Sequence, residues 1–360
     1  MNRDGNSPER RRFLQALGAG AFAAAGCSSS CAGKQPQQSA PATGQATSSV
    51  TTAATRTEAA RVVAAGGKPR VVVVKARRAL TQGYDADRGA LGAMLEAGLL
   101  ALAGEKDAAR ALASYVRAGE RVGLKINGLA ARQAATHFEL VDELSALLGK
   151  ADIEPRQQIV FDRFKRDLTE SGFGANRRDG YRCVGNDEAG HEEEIALMPS
   201  SASRLARVLT RQVDGVINLP VLKQHMLSGM TGALKNNFGC IHNPNKMHLY
   251  KCDPYIAEVN AIPAIRDKQR LVIMDALRPV VEGGPSYQPG AAEVANLLLF
   301  ATDLVAIDTV GLGILEDLRA KRRLPPLDKE GLFPTHLATA GKLGLGEADR
   351  ARIDIVEIEV

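Results

Sequence analysis

The stretch that decides the fold runs from Asp214 to Tyr255 and reads DGVINLPVLKQHMLSGMTGALKNNFGCIHNPNKMHLYKCDPY. Its apolar start, Gly215 to Leu219, is typical of a buried strand that ends at Pro220. A polar segment and several small residues follow, and Ala233 begins the first turn of a predicted short helix. Strand, polar loop and helix start, in this order, are the parts from which α/β proteins build anion sites.

Strands and helices alternate along the rest of the globular sequence. Short apolar runs predict the strands, and leucines at helical spacing predict the helices, with Thr136 as the cap of the second one. The predicted strands are residues 70–75, 121–127, 158–162, 215–219, 270–275, 296–301 and 354–360, and the predicted helices include 88–104, 138–150, 255–265 and 305–318. This alternation predicts an α/β fold, a mostly parallel sheet with helices on both faces and a polar site at the carboxyl ends of the strands.

The N-terminal residues differ in composition from the globular part. Arginines at positions 10–12 precede Phe13 and Leu14, which is the pattern of a twin-arginine export signal, and an apolar Ala/Gly-rich run follows. We assign the signal to residues 1–33, with cleavage and lipidation at Cys27; the alternative is a plain signal peptide. Residues 34–66, rich in Ser, Ala, Gln and Thr, predict a flexible tether, and 67–360 a single α/β domain.

These N-terminal features predict where the protein goes and what it meets there. Export by the twin-arginine translocase would deliver it to the periplasm or cell envelope, and a lipid on Cys27 would anchor it to the membrane. The formal net charge of +5, the absence of Trp and the aromatic content of 4% argue against nucleic acid as a partner. No ferredoxin-type cysteine motif is present, which argues against an iron–sulfur cluster.

Lysines and amides near the predicted strand ends form a candidate site for a small anionic molecule. Lysines supply point charges, asparagines neutral donors, and a helix start backbone N–H groups. Two parallel strands can bring such residues into one crevice, because ligands bind at the carboxyl edge of the sheet. The candidate binding residues are Lys125, Asn127, Lys223, Thr231, Lys235 and Asn236. The alternative is that the lysines are solvated surface charges and the asparagines cap turns.

His225 and Asp275 are the candidate catalytic residues. His225 follows the predicted strand and has the side chain best suited to proton transfer near neutral pH, although a structural histidine is the alternative. Asp275 lies at the end of another predicted strand, where a carboxylate can act as a base or hold a divalent cation. Asp308 lies within an apolar helix, so we expect it to face the site or to pair with a lysine.

Cysteines and histidines follow the signature stretch in the pattern C-x-H-x5-H-x3-C. Cys240, His242, His248 and Cys252 are residue types that bind zinc or another divalent metal, but their spacing matches no standard zinc finger or ribbon. A disulfide between Cys240 and Cys252 is one alternative in an oxidising compartment. Free or buried thiols are the other.

The run NLPVLKQHMLSGMTGALKNNFGCI at residues 218–241 resembles the signature of the domain-of-unknown-function family 362. Its pattern is N-x-P-x-x-K-x-H followed by T-G-x-x-K-N-x-F-G. LKIN at 124–127, THFELVDELSALL at 136–148 and LVIMDAL at 271–277 resemble further blocks of the family in the expected order. The resemblance covers about residues 68–350 and implies an α/β fold with a site around the signature, without implying a reaction.

Two hypotheses about function follow from these residues. The first is an exported enzyme that acts on a small anionic substrate, with a divalent metal as a candidate cofactor. The residues that bind and orient the substrate would be Lys223, His225, Lys235 and Asn236, and Asp275 would assist. The second is a membrane-tethered lipoprotein that binds a small ligand or cofactor without chemistry. A titratable histidine and a buried carboxylate in one crevice would favour the enzyme.

Overall fold

Short apolar and β-branched runs form the strands of the protein, as their composition predicts. The computed structural model describes residues 67–81, 83–174 and 180–360. The strands are β1 Arg70–Lys75, β2 Val122–Ile126, β3 Gln158–Asp162, β4 Arg182–Gly185, β5 Ala196–Met198, β6 Ser201–Ser203, β7 Gly215–Leu219, β8 Val221–His225, β9 Gly229–Thr231, β10 Gln269–Val280, β11 Leu297–Ala301 and β12 Asp354–Glu359.

Ten of these strands form one mixed, mostly parallel sheet. Its main path is β12-β1-β11-β10-β7-β2-β3-β4, while β8 pairs in parallel with β10 and antiparallel with β9. The α/β fold is thereby confirmed. One strand departs from the expected direction, because β11 runs antiparallel to both β1 and β10. The remaining pair, β5 and β6, forms a separate antiparallel hairpin.

Helices cover both faces of the sheet. They are α1 Arg88–Ala103, α2 Ala108–Ala113, α3 Ala131–Ala134, α4 Phe138–Lys150, α5 Lys165–Glu170, α6 Asn186–Ala189, α7 Ala233–Asn236, α8 Tyr255–Ala261, α9 Pro263–Arg266, α10 Leu304–Lys321 and α11 His336–Lys342. Successive residues of β1 belong to different cores, since Val72 lies in the core that contains residues of α1 and α4 and Val73 in the core that contains residues of α8 and α10. This alternation is why β1 is apolar at every interior position.

Two local predictions near the signature stretch are wrong. The segment after Pro220 is a strand, β8, and not a polar loop, so Lys223 and His225 lie two residues apart on it and project to one face. Thr136 does not cap α4. Its hydroxyl instead donates to the carbonyl of Leu219, 2.7 Å away, and ties the start of α4 to the end of β7.

The predictions about export concern residues outside the described part of the chain. These are the signal at 1–33, the tether at 34–66 and the lipidation site Cys27, and they remain predictions. Within the described ranges, no helix combines the length and apolar character needed to cross a membrane.

Candidate functional site

Six side chains of the signature and the two neighbouring strands form one buried polar network at the carboxyl ends of β2, β3 and β7. Lysine and aspartate provide charges, and asparagine amides, each both a donor and an acceptor, join them. We call it the amide network; it contains Lys125, Asn127, Asp162, Asn218, Lys223 and Asn236, all of which are buried. Four of these residues were predicted as ligand-binding, and the structure brings the four together.

Lys125 and Asp162 are the charged centre of the amide network. The Lys125 ammonium lies 2.7 Å from Asp162 Oδ1, and its side chain is 1% exposed. Asn236 accepts from Lys125 at 3.2 Å and from Asn127 at 3.3 Å. Gly239 packs against both charged side chains, and a Cβ there would come within 2.7 Å of the Asp162 carboxylate. Lys125 is therefore neutralised by its own chain and is held in place, which differs from the predicted role as a ligand-binding charge.

Lys223 extends the amide network along β8. Its ammonium donates to Asn127 Oδ1 at 2.8 Å and to the carbonyl of Leu129 at 2.9 Å. Burial lowers its pKa to about 7, although Asp162 and Asp275 oppose this change. Lys223 is thus easier to deprotonate than an ordinary lysine, and its hydrogen-bond acceptors among the described residues are neutral oxygens.

The expected anion site at the start of helix α7 is occupied by the protein itself. Asp308, from α10, accepts the backbone N–H groups of Ala233 at 2.6 Å and Leu234 at 3.0 Å. Gly232 gives the carboxylate room, because a Cβ at this position would overlap it. The sequence predicts that Asp308 faces the site or pairs with a lysine. Instead, Asp308 caps helix α7 from a distant element. Thr231, just before this turn, is buried, and its hydroxyl has no partner among the described residues.

A second group of basic side chains surrounds Lys235. We call Lys235, His225, His248 and His336 the lysine–histidine cluster. The Lys235 ammonium lies 3.2 Å from His248 Nε2 and 4.5 Å from the centre of the Phe238 ring. The His225 and His248 rings stack with their centres 5.9 Å apart. His225, Lys235 and His336 are buried, whereas His248 is partly exposed, so the cluster reaches the surface at His248.

All four side chains of the lysine–histidine cluster are basic. Burial lowers the pKa of Lys235, and it lowers the pKa of His336 to about 3 and that of His248 to about 4, with Lys235 adding to both effects. Across the described ranges, no carboxylate contacts any of the four side chains. Both ring nitrogens of His336 are buried without a hydrogen-bond partner. The cluster therefore offers several donors and no negative charge to balance them.

His225 is held in one tautomer by its backbone. Its Nδ1 accepts from the N–H groups of Leu227 at 3.1 Å and Ser228 at 3.2 Å, so this nitrogen carries no proton. Burial and the neighbouring Lys235 lower its pKa well below the usual value. His225 consequently presents a neutral Nε2–H, which suits a hydrogen-bond donor to a ligand better than the predicted proton carrier.

Strained backbone borders the cluster at its exposed side. Tyr250, Lys251 and Cys252 have φ values of 48°, 59° and 63°, three consecutive residues in the left-handed region. Only glycine adopts this region without cost, and such strain concentrates at functional sites. The turn places the Cys252 thiol close enough to Lys235 to act on its pKa.

Asp275, the other predicted catalytic residue, pairs with a histidine that the sequence reasoning missed. Its Oδ2 lies 2.7 Å from His137 Nδ1 and also accepts the His137 backbone N–H at 2.9 Å. Burial opposes protonation of His137, but the charge and hydrogen bond of Asp275 outweigh it, so the pKa of His137 is raised. In turn, His137 outweighs the effect of burial on Asp275 and lowers the pKa of the carboxyl.

The predicted metal ligands do not form a single site. Cys240 and Cys252 are free and buried, so the alternative of a disulfide between them is also wrong. His242 packs against His191, whereas His248 belongs to the lysine–histidine cluster. In the part of the chain that the structure describes, no three His, Cys, Asp or Glu side chains are arranged to hold a metal. Burial raises the pKa of Cys240 to about 12, which disfavours the thiolate that a metal would need.

Two further site residues come from segments that carry no motif of their own. His137 follows Thr136 within the block THFELV, so its place in a recognised block was the one available signal. His336 begins α11, far from the signature in sequence, and nothing around it indicates a site. Its contribution depends on tertiary packing alone.

Comparisons with known proteins place the chain in a family. No curated protein matches it. A crystal structure of a Thermotoga maritima protein, solved by the Northeast Structural Genomics Consortium, is similar at a TM-score of 0.37 and 12% identity, over 68% of this chain and 61% of that one. The present chain thus spans less than two thirds of that protein. The model of the domain of unknown function DUF362 matches residues 122–313, more than half of the chain, and the protein belongs to this family.

Proposed function

We propose that this protein binds a small anionic molecule at the lysine–histidine cluster. The observation that carries the proposal is the ammonium of Lys235, which is buried and, among the described residues, has no carboxylate partner. A buried charge without a counter-ion is costly, and a bound anion would remove that cost. The Nε2–H of His225 and the unpartnered ring of His336 would donate to the same ligand.

A titration with sulfate, followed by NMR on protein with labelled histidine rings, tests this proposal. We expect the ring signals of His225, His248 and His336 to shift saturably. Sulfate keeps its charge across the neutral range, and burial lowers the pKa of Lys235, so sulfate affinity should fall as the pH rises and the ammonium loses its proton. Chloride at equal ionic strength is the control. If the three signals did not respond, or moved only linearly with salt, the proposal would fail.

The contact between His137 and Asp275 favours a second candidate function, that of an enzyme for the same anionic molecule. A carboxylate on Nδ1 fixes the tautomer and orientation of a histidine and leaves Nε2 available for proton transfer. No described residue bonds to His137 Nε2. The predicted acid–base pair of His225 and Asp275 is thereby replaced, in this proposal, by His137 as the proton carrier and Asp275 as its orienting partner.

The D275N variant tests whether this carboxylate controls His137. We expect the pKa of His137 to fall by about 1 unit or more, because the charged hydrogen bond that raises it becomes neutral. The NMR titration of the His137 ring in both proteins gives the two values. The E143Q variant, which removes a partly exposed carboxylate on the same helix α4, should leave the titration unchanged. Equal pKa values in D275N and the wild type would remove the basis for the enzyme.

A further inference from the structure

A second cluster of basic side chains lies beside the signature and takes no part in the proposed function. We call Arg163, His191, Arg207 and His242 the arginine–histidine cluster. A backbone bridge joins His191 to Ala206, and the Arg207 N–H donates to the carbonyl of Gly190 at 2.9 Å, so His191 and Arg207 lie side by side. The His191 and His242 rings meet edge to face with their centres 5.0 Å apart. Arg163 directly follows Asp162 at the end of β3.

The positive charge of this cluster is not neutralised by direct contact. Within the described ranges, neither Arg163 nor Arg207 forms a salt bridge. The neighbouring carboxylates are engaged elsewhere: Asp162 by Lys125, and Glu192 by Arg211 and Thr210. Arg207 Nε and His191 Nε2 are buried and lack a hydrogen-bond partner.

The pKa of His191 reports how close these groups are. Burial lowers it, and the charges of His242, Arg163 and Arg207 lower it further, while Asp187 opposes them. These four basic groups share the region with the carboxylates of Asp162, Asp167, Asp187 and Glu192, but among the described residues neither guanidinium forms a salt bridge with any of them. An anion there would be attracted by both guanidinium groups, which bind phosphate and carboxylate groups through paired donors.

The two clusters are connected through Asn245. The Lys235 ammonium lies 3.2 Å from His248 Nε2, and His248 Nδ1 lies 3.2 Å from the carbonyl of Asn245. The amide oxygen of Asn245 accepts from the Arg163 guanidinium at 3.3 Å. Polar contacts therefore run without interruption from Lys235 to Arg163.

We infer that the ligand of this protein carries two anionic groups, one bound by the lysine–histidine cluster and the other by the arginine–histidine cluster. This inference rests on the proposed function, because it extends the site around Lys235. The ligand class is an elongated molecule with a phosphate, sulfonate or carboxylate at each end. A molecule that fills both clusters binds more tightly than one that fills a single cluster, because its second end binds without a second loss of translational freedom.

The experiment compares methanesulfonate with alkane-α,ω-disulfonates of increasing chain length, using labelled histidine rings. We expect one chain length to bind at least about tenfold more tightly than methanesulfonate. At this length the signals of His191 and His242 should shift together with those of His225, His248 and His336, with one dissociation constant. All six histidines of the chain are thereby observed at once.

Variants separate this inference from the proposal on which it rests. R163Q and R207Q should each abolish most of the disulfonate's gain in affinity. They should leave unchanged the affinity of the lysine–histidine cluster for methanesulfonate, measured from the signals of His225 and His336. R182Q removes an exposed arginine at the amino end of β4, away from the carboxyl ends of the strands. This variant should keep the full increase in affinity for the disulfonate. The inference would be overturned if methanesulfonate bound but a second sulfonate did not increase the affinity. It would also be overturned if the increase in affinity persisted in both arginine variants. An absence of methanesulfonate binding would instead overturn the proposed function.

Discussion

Replacement of Lys125 by methionine should lower the free energy of unfolding by about 3–5 kcal/mol. The substitution leaves the Asp162 carboxylate buried, 9% exposed, without the ammonium that lies 2.7 Å from it. Its other oxygen would still accept from the N–H of Gly128, which is too little to compensate a full buried charge. Urea unfolding at neutral pH measures the change.

A surface lysine provides the matched control for this variant. Lys75 lies 4.0 Å from Glu359, and both side chains are more than half exposed. K75M should therefore cost at most about 1 kcal/mol. Adding D162L to K125M should recover much of the lost stability, because no uncompensated charge remains buried once both side chains are replaced. If K125M cost no more than K75M, the pair would not hold the amide network together.

Seven strands, β1 to β3, β7 and β10 to β12, were predictable because their apolar runs depend on local sequence, whereas the short strands β4, β5, β6 and β9 were missed. RVVVVK at 70–75 is β-branched throughout, and only a strand covered on both faces needs such a run. Strand direction was not predictable, since the residues of β11 are equally apolar in either direction. Strand β8 was missed because Lys223, Gln224 and His225 are polar, and their burial depends on partners that lie elsewhere in the sequence.

The candidate site shows the same division between local and distant causes. Lys223, Lys235 and Asn236 were predictable because they occupy a dense polar stretch beside small residues. Their partners were not, because Asn127 and Asp162 come from other strands. Asp308 illustrates this best, since a carboxylate on an apolar helix predicts that a partner exists without indicating which one. Here the partners are backbone N–H groups of α7, and burial raises the pKa of the carboxyl to about 7 in spite of them.

A protein that keeps a buried, unpaired lysine gives up stability for some other property. The amide network is balanced internally, because Lys125 has Asp162 and Lys223 has two neutral acceptors. Among the described residues, the Lys235 ammonium contacts the imidazole of His248 and the face of Phe238, which stabilise an ammonium much less than a carboxylate does. This difference between the lysines is what supports the proposal that Lys235 binds the ligand.

Replacement of Lys235 by methionine should therefore stabilise the free protein and weaken its ligand binding at the same time. Loss of the buried charge should raise the free energy of unfolding by about 1–4 kcal/mol, because methionine fits an apolar site of similar volume. Loss of the charged hydrogen bond should weaken sulfate binding by roughly 10- to 100-fold, which corresponds to about 1.5–3 kcal/mol. Urea unfolding without sulfate and the histidine NMR titration measure the two effects separately.

The opposite signs of these two effects make the K235M variant decisive. A residue that serves packing alone would destabilise the protein when replaced, and a solvated surface lysine would change neither quantity. K342M, which removes an exposed lysine from the helix that His336 begins, should match the wild type in both measurements. A K235M protein that is less stable than the wild type and binds sulfate equally well would show that Lys235 is structural, because the charge would then stabilise the fold without taking part in binding.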